Sequence, residues 1–112
     1  MRRFLLAALP AATLLSGCLV TSQVGQGPIT LSPGVEALYQ RYLDTDEPMA
    51  FAVTADGSGA SYYYCPDRYG CRGTERSSAV QLCQKNFGRP CYIYDHLGEV
   101  IWREDLPPLP EG

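Results

Sequence analysis

Apolar and polar positions follow several distinct patterns along the chain, and each predicts an element. Residues 4–15 form a predominantly apolar run behind Arg2 and Arg3. Val35, Leu38, Tyr39, Tyr42 and Leu43 then fall at i, i+3, i+4, i+7 and i+8, the spacing of one helix face. Ser32-Pro33 supplies an N-cap and a first-turn proline, and the stretch from Asp44 to Pro48 stops the helix. Met49–Thr54 alternates large and small side chains with period two, which predicts a strand. Asp56-Gly-Ser-Gly59 is turn chemistry, and Ala60–Cys65 is a second, Tyr-rich strand, so the two make a hairpin. Pro66–Thr74 reads as a loop. A second helix spans Glu75–Phe87, with Ala79, Val80, Cys83 and Phe87 on one face. Ser78 and Gln81 have capping-box spacing within it, and Gly88 followed by Pro90 ends it. Cys91–Tyr94, a turn at Asp95–Gly98 and Glu99–Arg103 predict a second hairpin, with Trp102 packing in the core beside Val100. The order α-β-β-α-β-β predicts a small α+β domain: a four-stranded antiparallel sheet with two helices on one face.

The apolar run is twelve residues long, well short of the roughly 20 that cross a bilayer. It therefore reads as the core of an export signal. Its end, Leu15-Ser16-Gly17-Cys18, resembles the lipobox of bacterial lipoproteins. The resemblance implies diacylglycerol on the Cys18 thiol, cleavage between Gly17 and Cys18, and acylation of the new amine. More than one acyl chain then anchors the protein, each buried methylene contributing about 0.8 kcal/mol. Leu19 is not Asp, which by the enterobacterial sorting rule implies the outer membrane, facing the periplasm. The chain divides accordingly into a signal peptide over 1–17, a lipidated Cys and flexible tether over 18–31, a disulfide-stabilised domain over 32–103 and a Pro-rich tail over 104–112. The tether reading rests on the polar, Gly-rich stretch from Thr21 to Pro28.

Composition narrows the partners. Removing residues 1–17 from the 112 takes away Arg2 and Arg3 and no acid, leaving seven basic and twelve acidic side chains and a net charge of −5. Neither nucleic acid nor an anionic membrane surface is a natural partner for such a chain, since both favour a basic patch. Five cysteines leave an odd one in an exported protein. With Cys18 assigned to lipid, Cys65, Cys71, Cys83 and Cys91 form an even set suited to an oxidising compartment. Their spacing, C-x5-C-x11-C-x7-C, has no C-x2-C knuckle, and His96 is the only histidine, so a zinc site is disfavoured. Two disulfides are expected. Cys65–Cys71 and Cys83–Cys91 fit the predicted elements, although four cysteines allow three connectivities.

Candidate chemistry is sparse. Strand alternation places Cys91 and Ile93 on one side and Tyr92 and Tyr94 on the other, and likewise separates Cys65 and Tyr63 from Tyr62 and Tyr64. Tyr62, Tyr64, Tyr92 and Tyr94 thus form a candidate binding face, flat apolar rings with polar tips suited to sugars or peptide. His96 beside Asp95 reads as a solvated turn histidine, and no nucleophile, metal-protease, phosphate-loop or dinucleotide motif accompanies it. No enzyme and no cofactor is implied. The stretch from Ala50-Phe-Ala-Val through Asp56-Gly to Ala79, Cys83, Cys91-Tyr-Ile-Tyr and Trp102 is similar to a small cysteine-containing domain of exported proteobacterial proteins, a family that implies no activity. The expected function is a membrane-anchored structural or binding module that recognises peptidoglycan or an envelope protein. The alternative is a lipid-anchored inhibitor or immunity-type protein, whose acidic charge would suit a basic target enzyme.

Overall fold

The computed structural model describes residues 23–65 and 73–110. Helix α1 spans Pro33–Leu43, opened by the Ser32 hydroxyl, which accepts from the Val35 N–H at 3.2 Å. Strands β1 (Pro48–Thr54) and β2 (Ala60–Tyr64) form the first hairpin. Helix α2 spans Glu75–Phe87 and ends on Gly88, whose φ of 65° is the left-handed conformation that glycine adopts without penalty. Strands β3 (Cys91–His96) and β4 (Glu99–Val100) form the second hairpin. The four strands make one antiparallel sheet in the order β2-β1-β3-β4.

Two helices and a four-stranded antiparallel sheet match the expected class, but the helices do not share a face. Every residue of β1 after Pro48 is buried, so both of its faces are covered. Ala50 and Ala52 join Ala79, Val80 and Cys83 of α2 in one core, while Phe51 and Val53 join Val35 and Tyr42 of α1 in another. The small side chains let α2 lie close to the sheet. The large ones fill the space beneath α1, and burying each contributes roughly 1.5–3 kcal/mol. The sheet is thus the middle layer of three.

Cys83 and Cys91 are bonded, joining α2 to the first residue of β3. Cys65 is buried at the end of β2, and its expected partner Cys71 lies outside the described residues. The predicted capping box is not used: α2 begins at Glu75, and the Ser78 N–H already bonds the Thr74 carbonyl within the first turn. The second hairpin is also shorter than expected. Its turn is Leu97-Gly98, and β4 stops at Val100 because the Ile101 and Trp102 N–H groups both reach the Tyr94 carbonyl. Val100 is therefore exposed while Trp102 is buried in the α1-side core, so the two do not pack together as predicted.

The short β4 leaves most of the β3 edge open, and the chain's own N-terminal segment fills it. Val24 bridges Ile93 and Gln26 bridges Arg103, both in parallel, with backbone bonds running both ways between the partners. This corrects the flexible-tether reading for residues 23–31. Gly25 is glycine because the Trp102 ring lies against its backbone, where a Cβ would collide. The indole Nε1–H donates to the Gly27 carbonyl at 2.7 Å. The tail is held too, the Gln26 amide donating to the Pro107 carbonyl at 2.8 Å.

Candidate functional site

The four tyrosines singled out from sequence do not make an open face. Tyr62, Tyr92 and Tyr94 are half-buried against the core beneath α1, and of the four only Tyr64 is exposed. Tyr94 meets Tyr39 edge-on at 5.4 Å between ring centres and lies 6.1 Å from Trp102, while Tyr62 lies 5.5 Å from Tyr42. The reason is α1 itself. Its apolar stripe needs a partner, the α2 side of the sheet is taken, and the aromatic side is what remains. Alternation put these rings on one side of the sheet as expected, and α1 then covers Tyr62 and Tyr94, while Tyr92 lies near Trp102, Pro108 and Leu109.

At the centre of this aromatic layer lies a group that the sequence reading assigned to a turn. Asp95 is fully buried. Its Oδ2 accepts from the Tyr39 hydroxyl at 2.5 Å, and its Oδ1 accepts from the Tyr42 hydroxyl at 2.6 Å and the Gly98 N–H at 2.8 Å. A bulge places it there. The register of β1 with β3 pairs Ala52 with Ile93 but Phe51 with Asp95, so Tyr94 is an extra residue. Two successive side chains, Tyr94 and Asp95, then face α1. Burial, followed by the bond to Asp95, raises the Tyr39 and Tyr42 phenols well above their usual range, which keeps them protonated as donors. One available signal was the i, i+3 placement of Tyr39 and Tyr42 on a helix face together with a lone acid inside an apolar strand.

His96 is the last residue of β3 rather than a solvated turn residue. Its Nε2 lies 3.4 Å from Glu75 Oε2, linking the start of α2 to the sheet. Burial raises the Glu75 carboxyl, but bonds from backbone N–H groups and from His96 outweigh it and hold the group below its usual value. Asp56 organises the first hairpin turn. Its Oδ1 accepts from the Thr54 hydroxyl, the Ser58 N–H and the Ser58 hydroxyl, and its Oδ2 meets Arg89 Nη1 at 3.1 Å. The Ser58 and Thr54 bonds hold this carboxyl far below the usual range.

A cavity of about 130 Å³ is lined by Thr54, Asp56, Arg89 and Pro90, and one of about 90 Å³ lies between Tyr92, Trp102 and Leu109. Pockets that enclose small ligands run to roughly 300–1,000 Å³. Neither of these two cavities is large enough to enclose such a ligand. Among the described residues, no three His, Cys, Asp or Glu side chains gather as metal ligands would, and no helix is long and apolar enough to cross a membrane. The site residues Cys18 and Cys71 lie outside the described residues. Compared with family models, curated proteins and solved structures, the chain matches none.

Proposed function

We propose that the protein is a lipid-anchored lipoprotein of the bacterial cell envelope, a structural or binding module without catalysis. The observation that carries this is Leu15-Ser16-Gly17-Cys18 at the end of a twelve-residue apolar run behind two arginines. The Cys83–Cys91 bond agrees with an oxidising destination such as the periplasm. The described domain takes up its fold within five residues of Cys18, so lipid and domain are close neighbours in the chain. The proposed partners are the membrane, through lipid on Cys18, and peptidoglycan or an envelope protein through the domain's outer surface. Intact mass of the membrane fraction tests the anchor: the expected species begins at Cys18 and carries two or three acyl chains. A Cys18→Ser protein is expected in the soluble fraction, and its retention in the membrane would refute the reading.

A further inference from the structure

We infer that the end of the domain carrying Lys85 and Arg89 is the surface held against the bilayer. The inference rests on the lipid anchor proposed above and adds an orientation to it. Residues 23–27 run parallel to β3, bridging Ile93 and Arg103. Followed backwards from Val24, the chain leads to the Cys91 end of the sheet. That end also holds the end of β1, since Thr54 pairs with Cys91. It holds the turn at Asp56, bonded to Arg89, and the last turn of α2 with Lys85. Only residues 19–22 separate the anchor from this fixed segment. At most about 3.6 Å per residue, the span from Cys18 to Gln23 is no more than about 18 Å. This is a short leash leaving from one end of the sheet.

Charge points the same way. At the leash end, exposed Lys85 and Arg89 offset Asp56 and Glu36 of the first turn of α1, which is tied there by the Ser32 N–H to the Gly57 carbonyl. Among the described residues, the opposite end carries Asp44, Asp46, Glu47 and Glu99 against Arg41, with Glu75 and Arg76 of opposite sign beside them. Arg103, Glu104 and Asp105 lie beside Gln26 and Tyr94, outside both groups. An anionic bilayer surface repels the acidic end and tolerates the balanced one, and this field acts within about 10 Å.

Lys85 is the only lysine in the chain and is exposed on the domain, so it reports on this contact by itself. The lipidated full-length protein is reconstituted in vesicles of phosphatidylethanolamine and phosphatidylglycerol and treated with an impermeant amine-reactive ester. Modification of the Lys85 peptide is followed by mass spectrometry. The expected result is a rate several-fold below that of the Cys18→Ser protein in solution, restored by a long Gly/Ser insertion after Val20. In a Lys85→Arg background, Glu99→Lys places the reporter at the opposite end, where the solution rate is expected. A lipidated protein whose Lys85 reacts at the solution rate, or in which both reporters are equally shielded, overturns the orientation alone. A protein without lipid on Cys18 overturns the anchor, and the orientation with it.

Discussion

Asp95 satisfies two phenols and one backbone N–H with a single carboxyl, in a place that water does not reach. Removing it strands three donors. Asp95→Ala is expected to cost about 2–4 kcal/mol, with Tyr42→Phe costing about 1–2 kcal/mol, both read from urea unfolding midpoints. The raised phenols give a pH signature. In the unfolded chain they ionise near their ordinary value of 10.0, whereas in the folded domain they resist ionisation. Their contribution is complete below that value and is lost as the pH rises through the higher folded value, so stability should fall above about pH 10. Tyr39→Phe/Tyr42→Phe should flatten that alkaline limb in the same urea titration. Leu97 is the opposite case, a residue at odds with its place: φ is 59°, and the side chain is 59% exposed. Leu97→Asn is expected to raise stability by about 0.5–1 kcal/mol in thermal unfolding, because Asn tolerates this backbone region better. Near Gly98, Asp95 reads as ordinary turn composition, and the Tyr39 and Tyr42 pair on the α1 stripe is a weak sign of its role. Its burial depends on one inserted residue in a strand, and a bulge of this kind leaves no mark in a period-two pattern.

Element types and order were readable because their signals are local: a stripe at helical spacing, Ser-Pro and Gly-x-Pro boundaries, and turn residues between alternating runs. The layering was also present, in the composition of β1. Met49-Ala-Phe-Ala-Val alternates large with small but never apolar with polar. A strand that spares no face for water is covered on both. Alternation was thus read correctly as a strand and incompletely as a layer. The consequence for the candidate site is direct, since Tyr62 and Tyr94 of the four grouped tyrosines lie under α1. The Cys83–Cys91 link was legible from the helix face and the strand start. It closes a short loop, and its loss through Cys83→Ala/Cys91→Ala is expected to cost roughly 2–3 kcal/mol in urea unfolding.

On the scale of the whole molecule, the N-terminal segment acts as a fifth rung beside β3, although only two bridges define it. An unpaired edge invites pairing with another chain, and this segment occupies it. A protein begun at Ile29 is expected to lose about 2–4 kcal/mol, through exposed apolar surface at Trp102 and the α2-side core and lost backbone bonds. Sedimentation should also show self-association that the longer protein lacks. Gly25 and Gly27 were read as marks of flexibility because glycine and polar residues without period resemble a linker. Their reason is close approach, to Trp102 for one and to Pro108 for the other. Partners this distant in sequence are invisible to local pattern.

The same long-range pairing bears on when the protein can fold. Gln26 waits for Arg103 and Pro107, and the Gly27 carbonyl waits for Trp102. Gln26 and Gly27 are among the earliest described residues to leave a ribosome, and these partners lie 75 to 81 residues further on. Contacts so far apart in sequence form late. The hairpins and helices have local instructions, but the N-terminal segment is fixed only once Trp102, Arg103 and Pro107 are present. A chain built this way locks its first-made segment last, when the partners of that segment have followed it.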